Sequence, residues 1–137
     1  YPADHFDVVV DVFSSYCLDE VDFDAFSREL GRVLKPGGRF FSYTPSKASD
    51  VFADPAPGGR LDGSTLDGIR RPTAPFYGNA YPFRFASPED VTAAMHRAGL
   101  EMTGLERIGR TYRNGAEYFE FLSYSARRPD AAPESRD

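Results

Sequence analysis

Two hydrophobic periods divide the first third of the chain. Phe6-Asp7-Val8-Val9-Val10-Asp11-Val12-Phe13 is a short apolar run rich in β-branched residues, the composition of a strand buried on both faces. Phe23, Phe26, Leu30, Val33 and Leu34 then recur at three- and four-residue spacings, one stripe of an amphipathic helix. Asp22 or Asp24 is placed to cap it. Gly31 inside a helix costs about 1 kcal/mol relative to Ala and so predicts close packing on the sheet. Lys35-Pro36-Gly37-Gly38 stops the helix, and Arg39-Phe40-Phe41-Ser42-Tyr43-Thr44 restarts extended structure. Strand, crossover helix and strand of these lengths predict a right-handed parallel unit. Ligands of such sheets sit beyond the carboxyl ends of the strands, here Asp11 to Tyr16 and Tyr43 to Ser46.

From Pro45 to Ala86 the periodicity is lost, and only Ser64 to Arg70 has the composition of a short helix. A segment this long with little regular structure is usually a functional loop or lid. Its aromatic part, Phe76 to Phe85, is too apolar for a solvated linker. Ser87-Pro88-Glu89-Asp90 is the clearest start signal in the chain: a cap, a proline at the first helical position and acids in the first turn. Val91, Ala94, Met95 and Ala98 form the buried stripe, and Gly99 ends the helix. Met102 to Tyr112 and Glu117 to Ala126 read as strands joined at Arg113-Asn114-Gly115, a hairpin signal. Residues 129–137 read as a disordered tail because they are charged and proline-bearing.

A length of 137 residues gives one α/β domain with ample core, at 41% hydrophobic and 15% aromatic content. The net charge of −5 argues against long-range attraction to nucleic acid or an anionic membrane. No apolar run is long enough to cross a bilayer, and residues 1–5 have no signal-like core. A single cysteine, Cys17, makes no internal disulfide and fits a reducing, cytoplasmic compartment. No basic cluster lies near it in sequence, which predicts a buried structural thiol. His5 and His96 are isolated, and neither has a partner at metal-ligand spacing. Gly37-Gly38 follows a helix and precedes a strand, the reverse of a phosphate-binding order. Asp11, at the end of the first strand, either meets a hydroxyl-bearing or cationic ligand, or else points to solvent or accepts backbone hydrogen bonds there. Tyr77, Asn79, Tyr81 and Arg84 are candidates to orient a small-molecule acceptor, the arginine an acidic one. Phe83 and Phe85 are better read as anchors of the loop.

FDVVVDVFSSYCL, FSRELGRVLKPGGRFFSYTPS and FRFASPEDVTAAMHRAGLEM together resemble the class I S-adenosylmethionine-dependent methyltransferases. In that family a strand opening with Phe-Asp precedes a helix ending in Arg-x-Leu-Lys-Pro-Gly-Gly. A later helix ends in Ala-Gly-Leu. The resemblance covers Phe6 to about Arg128 and implies the carboxyl-terminal half of a Rossmann-like sheet. In this half, a parallel strand–helix–strand unit is followed by a helix and an antiparallel hairpin, with residues 45–86 as an acceptor-side insert or lid within a domain of residues 1–128. The family's glycine-rich turn and the acidic residue after its second strand have no counterpart among the 137 residues. The resemblance implies S-adenosylmethionine as cofactor of the complete domain, with Asp11, Phe13 and Tyr16 on its side of the crevice, and methyl transfer to a small molecule. An aromatic face holds a sulfonium by cation–π attraction of about 1–2 kcal/mol when desolvated. No catalytic base is identified, and none is required for a reactive acceptor. The alternative is a non-catalytic binding or dimerisation half-domain, whose first strand pairs with a second copy or with a polypeptide carrying the other half of the fold.

Overall fold

The computed structural model describes residues 1–131. β1 (Phe6–Val12) runs parallel to β2 (Leu34–Pro45), with α1 (Glu20–Val33) as the crossover between them. From Val8 opposite Arg39 to Val12 opposite Tyr43 the register is regular. β6 (Glu117–Arg127) lies antiparallel along the other side of β2, and β5 (Glu101–Tyr112) lies outside β6. The order β1-β2-β6-β5 is the arrangement that the parallel unit and the Asn-Gly hairpin predict. Arg113, Asn114 and Gly115 all take left-handed backbone, which turns β5 into β6 with the twist of the flanking strands.

α1 and α3 (Pro88–Arg97) cover one face of this sheet. Leu30, Val91, Ala94 and Met95 pack there against Phe40, Leu122 and Tyr124. Ser87 accepts from the Asp90 amide at 3.0 Å while Asp90 accepts from the Ser87 amide at 2.9 Å, a reciprocal cap that fixes the start of α3.

Several local expectations are corrected. β1 is buried on one face only. Val9 and Asp11 point inward, whereas Val8, Val10 and Val12 are 58, 60 and 55% exposed. Both helices lie on the inner face, and the outer edge of β1 pairs with no strand among the described residues. The cap of α1 is Asp19, whose side chain accepts from the Asp22 amide at 2.9 Å, so the helix starts earlier than Asp22. Gly31 meets α3 rather than the sheet: a methyl group there would overlap the Ala98 carbonyl oxygen. Lys35 to Gly38 does stop α1, but it forms a bulge inside β2, between the Phe6–Leu34 and Val8–Arg39 pairs, with Gly37 at φ +80°.

The segment after β2 holds one helical turn, α2 (Asp50–Ala53), and a small hairpin of β3 (Thr65–Leu66) with β4 (Phe83–Arg84). The helix expected over Ser64–Arg70 is absent because Thr65 and Leu66 pair as a strand and Gly68 sits at φ +148°. This insert has its own core: Val51, Leu66, Ile69, Phe83 and Phe85 pack on Phe119 of β6, with Phe13, Tyr16 and Phe121 against them. Among the described residues no helix is long and apolar enough to cross a membrane. Residues 129–131 are exposed and irregular, and the remainder of the expected tail, residues 132–137, lies outside the described residues.

Candidate functional site

At the carboxyl end of β1 the chain turns sharply. Phe13 takes left-handed backbone at φ +49°, and Ser15–Cys17 forms one 3-10 turn. Asp11 holds this corner. Ser14 Oγ donates to Oδ1 at 2.6 Å and the Ser15 amide donates to Oδ1 at 2.8 Å. Oδ2 accepts from Ser15 Oγ at 2.6 Å and from Ser42 Oγ of β2 at 3.0 Å. Asp11 is 3% exposed. Of the two readings the sequence left open, the carboxylate fills its acceptor sites from within the protein.

Arg84 is equally committed. It is 3% exposed and approaches the same turn from β4. Nη1 donates to the carbonyls of Ser15 and Leu18 at 2.6 and 2.7 Å, and Nη2 to Ser15 Oγ at 3.2 Å. The guanidinium lies 3.7 Å from the centre of the Phe23 ring. Burial pushes its pKa down to about 10, which leaves it protonated at neutral pH. Ser15 Oγ bridges the two charges, accepting from Arg84 and donating to Asp11. An arginine read as a contact for an acidic acceptor is thus a clamp between the insert and the end of β1.

Phe13 and Tyr16 lie side by side at this turn. Their rings stack with centroids 4.3 Å apart at 13°. Around Phe13 stand Phe76 at 5.0 Å, Phe121 at 5.4 Å and Phe83 at 6.0 Å, and Tyr43 stacks on Phe121 at 4.4 Å. The end of the sheet is therefore walled by aromatic rings. Cys17 is exposed, a correction to the buried thiol expected from sequence: its 3-10 turn points Sγ outward, where it donates to the Ser14 carbonyl at 3.3 Å.

The other acceptor-side candidates lie apart from Arg84. Tyr77 and Asn79 line a shallow cavity of about 360 Å³ with Pro57, Ile69 and Arg70. Asn79 Oδ1 accepts from the Tyr81 amide at 3.0 Å, and the Tyr81 ring is 73% exposed. A larger cleft of about 450 Å³ opens on the helix side, between the first turn of α1 and the length of α3, with Glu20, Phe23, Asp24, Asp90 and Arg97 around it and Arg84 at its wall.

Two buried carboxylates on β6 were not singled out from sequence. Glu120 is 2% exposed; it accepts from Ser46 Oγ at 2.5 Å, Tyr118 Oη at 2.8 Å and Arg107 Nε at 3.0 Å. Burial raises its pKa, but these donors outweigh burial and hold it below the usual range. Glu117 is 1% exposed; Oε1 accepts from Arg71 Nε at 2.8 Å and Thr73 Oγ1 at 2.9 Å, and Oε2 has no partner among the described residues. Two acids inside one strand, in Glu-Tyr-Phe-Glu-Phe-Leu, were the available signal.

The architecture has counterparts among solved structures. A methyltransferase from Methanosarcina mazei superposes with a TM-score of 0.69 at 13% identity, over 96% of this chain and 63% of that one. The 1,6-didemethyltoxoflavin-N1-methyltransferase of Burkholderia thailandensis, solved with S-adenosylhomocysteine bound, gives 0.60 at 13% identity, over 93% and 46%. A methyltransferase from Mesorhizobium loti gives 0.61 at 21% identity, over 93% and 63%. The fold is that of the S-adenosylmethionine-dependent methyltransferases. The chain spans about half to two-thirds of the length of these structures. No protein-family model matches it, and no curated protein matches it significantly.

Proposed function

We propose that this chain forms the carboxyl-terminal part of an enzyme that transfers a methyl group from S-adenosylmethionine to a small-molecule acceptor. The observation that carries the reading is the methyltransferase fold over nearly the whole chain, with a stacked aromatic pair at the carboxyl end of β1. S-adenosylmethionine supplies a methyl group activated on a positively charged sulfur. Phe13 and Tyr16 fit that end of the cofactor, since aromatic faces attract a cation without a counter-charge. Asp11 does not fit as a direct cofactor ligand, because its oxygens are filled by Ser14, Ser15 and Ser42. It shapes the turn that carries the two rings. Tyr77, Asn79 and Tyr81 remain the acceptor-side residues, on a loop beside that end. In-line displacement depends on alignment and exclusion of water, which a rigid aromatic wall supplies without a base.

The test is a titration of the chain with S-adenosylhomocysteine, followed by NMR. Shifts centred on residues 13–16, reduced in Phe13→Ala, are expected. Affinity for the chain alone is expected to be weaker than micromolar, less than about 8 kcal/mol of binding free energy. Shifts elsewhere with none at Phe13 and Tyr16 contradict the assignment.

A second reading, a non-catalytic binding or dimerisation module, is favoured by one observation. The outer edge of β1 is unpaired among the described residues and Val8, Val10 and Val12 are exposed. Under either reading the edge takes a partner strand, from a second copy or from a polypeptide carrying the cofactor-binding half.

A further inference from the structure

Phe76 has an unusual position for a packing residue. Its backbone is left-handed at φ +66° and its side chain is 41% exposed. Yet its ring stands among four others, 5.0 Å from Phe13, 5.4 Å from Phe119, 5.9 Å from Phe83 and 6.3 Å from Phe121. It reaches them from a strap, residues 69–79, closed at its base by Ile69 N donating to Asn79 O and Gly78 N to Ile69 O. Within residues 70–77 the backbone hydrogen bonds are internal turns, Ala74 N to Arg71 O and Tyr77 N to Ala74 O. Among the described residues no backbone hydrogen bond ties that stretch to the sheet.

Side chains do the tying. Arg71 and Thr73 bind Glu117 Oε1 from above, and Arg113 of the hairpin donates to the carbonyls of Pro72 and Thr73 at 3.1 Å. This latch is only half satisfied, because the buried Glu117 Oε2 has no donor among the described residues. Lifting the strap hydrates that oxygen and relieves the left-handed Phe76, while it breaks the Arg71 and Thr73 bonds. Costs on both sides make the closed position reversible.

We propose that Phe76 is a placeholder in an aromatic slot, and that the slot takes a planar aromatic ring when the strap lifts. Four ring walls supply stacking and edge contacts to such a ligand. Asp11 and Arg84, next to the walls Phe13 and Phe83 in sequence, are buried and committed to other partners, so neither is free to pair with a ligand. The inference rests on the reading of this end of the sheet as the methyl-transfer site and names the acceptor's class, an aromatic ring.

The probe is 2-naphthol, followed by its own fluorescence without cofactor, so the outcome is independent of methyl transfer. Saturable binding to the native chain is expected. Glu117→Gln, which loosens the latch, tightens it about tenfold; Phe76→Trp, which plugs the slot, weakens it; Phe13→Ala, which removes a wall, weakens it as well. Equal affinity in the native chain and Glu117→Gln, or undiminished binding in Phe13→Ala, overturns the proposal. If the variants fail to fold, hydrogen exchange on the native chain decides. Amides of residues 70–78 exchange faster when 2-naphthol is added, and no change overturns the proposal. A negative result leaves methyl transfer standing, and a failed cofactor titration leaves the slot readable.

Discussion

Asp11, Ser15 and Arg84 act as one unit at the end of β1. A carboxylate and a guanidinium, each 3% exposed, share one hydroxyl. Removing one charge leaves the other buried without its counterpart, which costs about 2–4 kcal/mol. Asp11→Asn is therefore expected to lose that much stability in urea unfolding, and Arg84→Met a similar amount. The double variant is expected to lose clearly less than the sum, because each single change already breaks the unit. Strict additivity would mean that the two charges do not communicate through Ser15. Sequence placed Asp11 and Arg84 as possible ligand contacts, since each sits at an end or in a loop. Ser14 and Ser15 were visible as adjacent hydroxyls. Ser42 reaches Asp11, and Arg84 reaches Ser15, only through the β1–β2 register and the β3–β4 hairpin, which no local pattern in the chain encodes.

Glu120 sets a pH dependence at the same scale. Its folded pKa lies below the ordinary value of 4.5: burial raises it, and the donors Ser46, Arg107 and Tyr118 outweigh burial. A depressed carboxyl contributes stability that is fully present above its unfolded pKa and is lost as pH falls through the folded one. Stability should thus fall as pH drops below about 4.5. Glu120→Gln should flatten that acid limb without abolishing it, because Asp90 and Asp62 are also held below their ordinary values. Urea midpoints measured from about pH 6 to about pH 3 decide this. An acid limb as steep in Glu120→Gln as in the native chain would assign the effect to other groups.

At the scale of elements, the strands and helices were legible where local signals agreed. The cap at Ser87, the stripe of Val91, Ala94 and Met95, and the turn at Asn114-Gly115 each named their element and its end. Ser87→Ala is accordingly expected to cost about 1 kcal/mol, because the Asp90 amide loses its acceptor. Packing partners were less legible, because periodicity gives a face but not what covers it. Gly31 illustrates the difference. By propensity alone, Gly31→Ala stabilises a helix by about 1 kcal/mol. Here the added methyl collides with the Ala98 carbonyl, a backbone atom that cannot rotate away. The expected result is a net loss of about 2–3 kcal/mol from forcing α1 away from α3. A thermal unfolding midpoint at or above the native one would show that α1 and α3 can separate at little cost. The insert was the least legible element, since Thr65–Leu66 and Phe83–Arg84 find each other across an irregular stretch.

For the molecule as a whole, the outer edge of β1 is the feature from which behaviour in solution is predicted. An apolar run such as Val8-Val9-Val10 reads as an interior strand, and in the fold it is the end of the sheet. Three valines at 55–60% exposure continue onto Phe41, exposed opposite Val10 on the neighbouring strand β2. An unpaired edge beside an apolar face is a template for another chain. The purified protein is expected to self-associate, or to require a second polypeptide that adds a strand beside β1. Sedimentation over a range of concentrations measures this. Val10→Lys places a charge in the centre of the exposed row and should shift association to concentrations at least about tenfold higher, the effect of about 1.4 kcal/mol per contact. Val10 faces outward, so its replacement leaves the inner core of Leu30, Phe40 and Tyr124 untouched and the fold intact. A native chain that remains a monomer at tens of micromolar and unfolds cooperatively would remove the dimerisation reading. It would mean that four strands, two covering helices and the aromatic insert suffice as a fold, with the exposed valines simply tolerated.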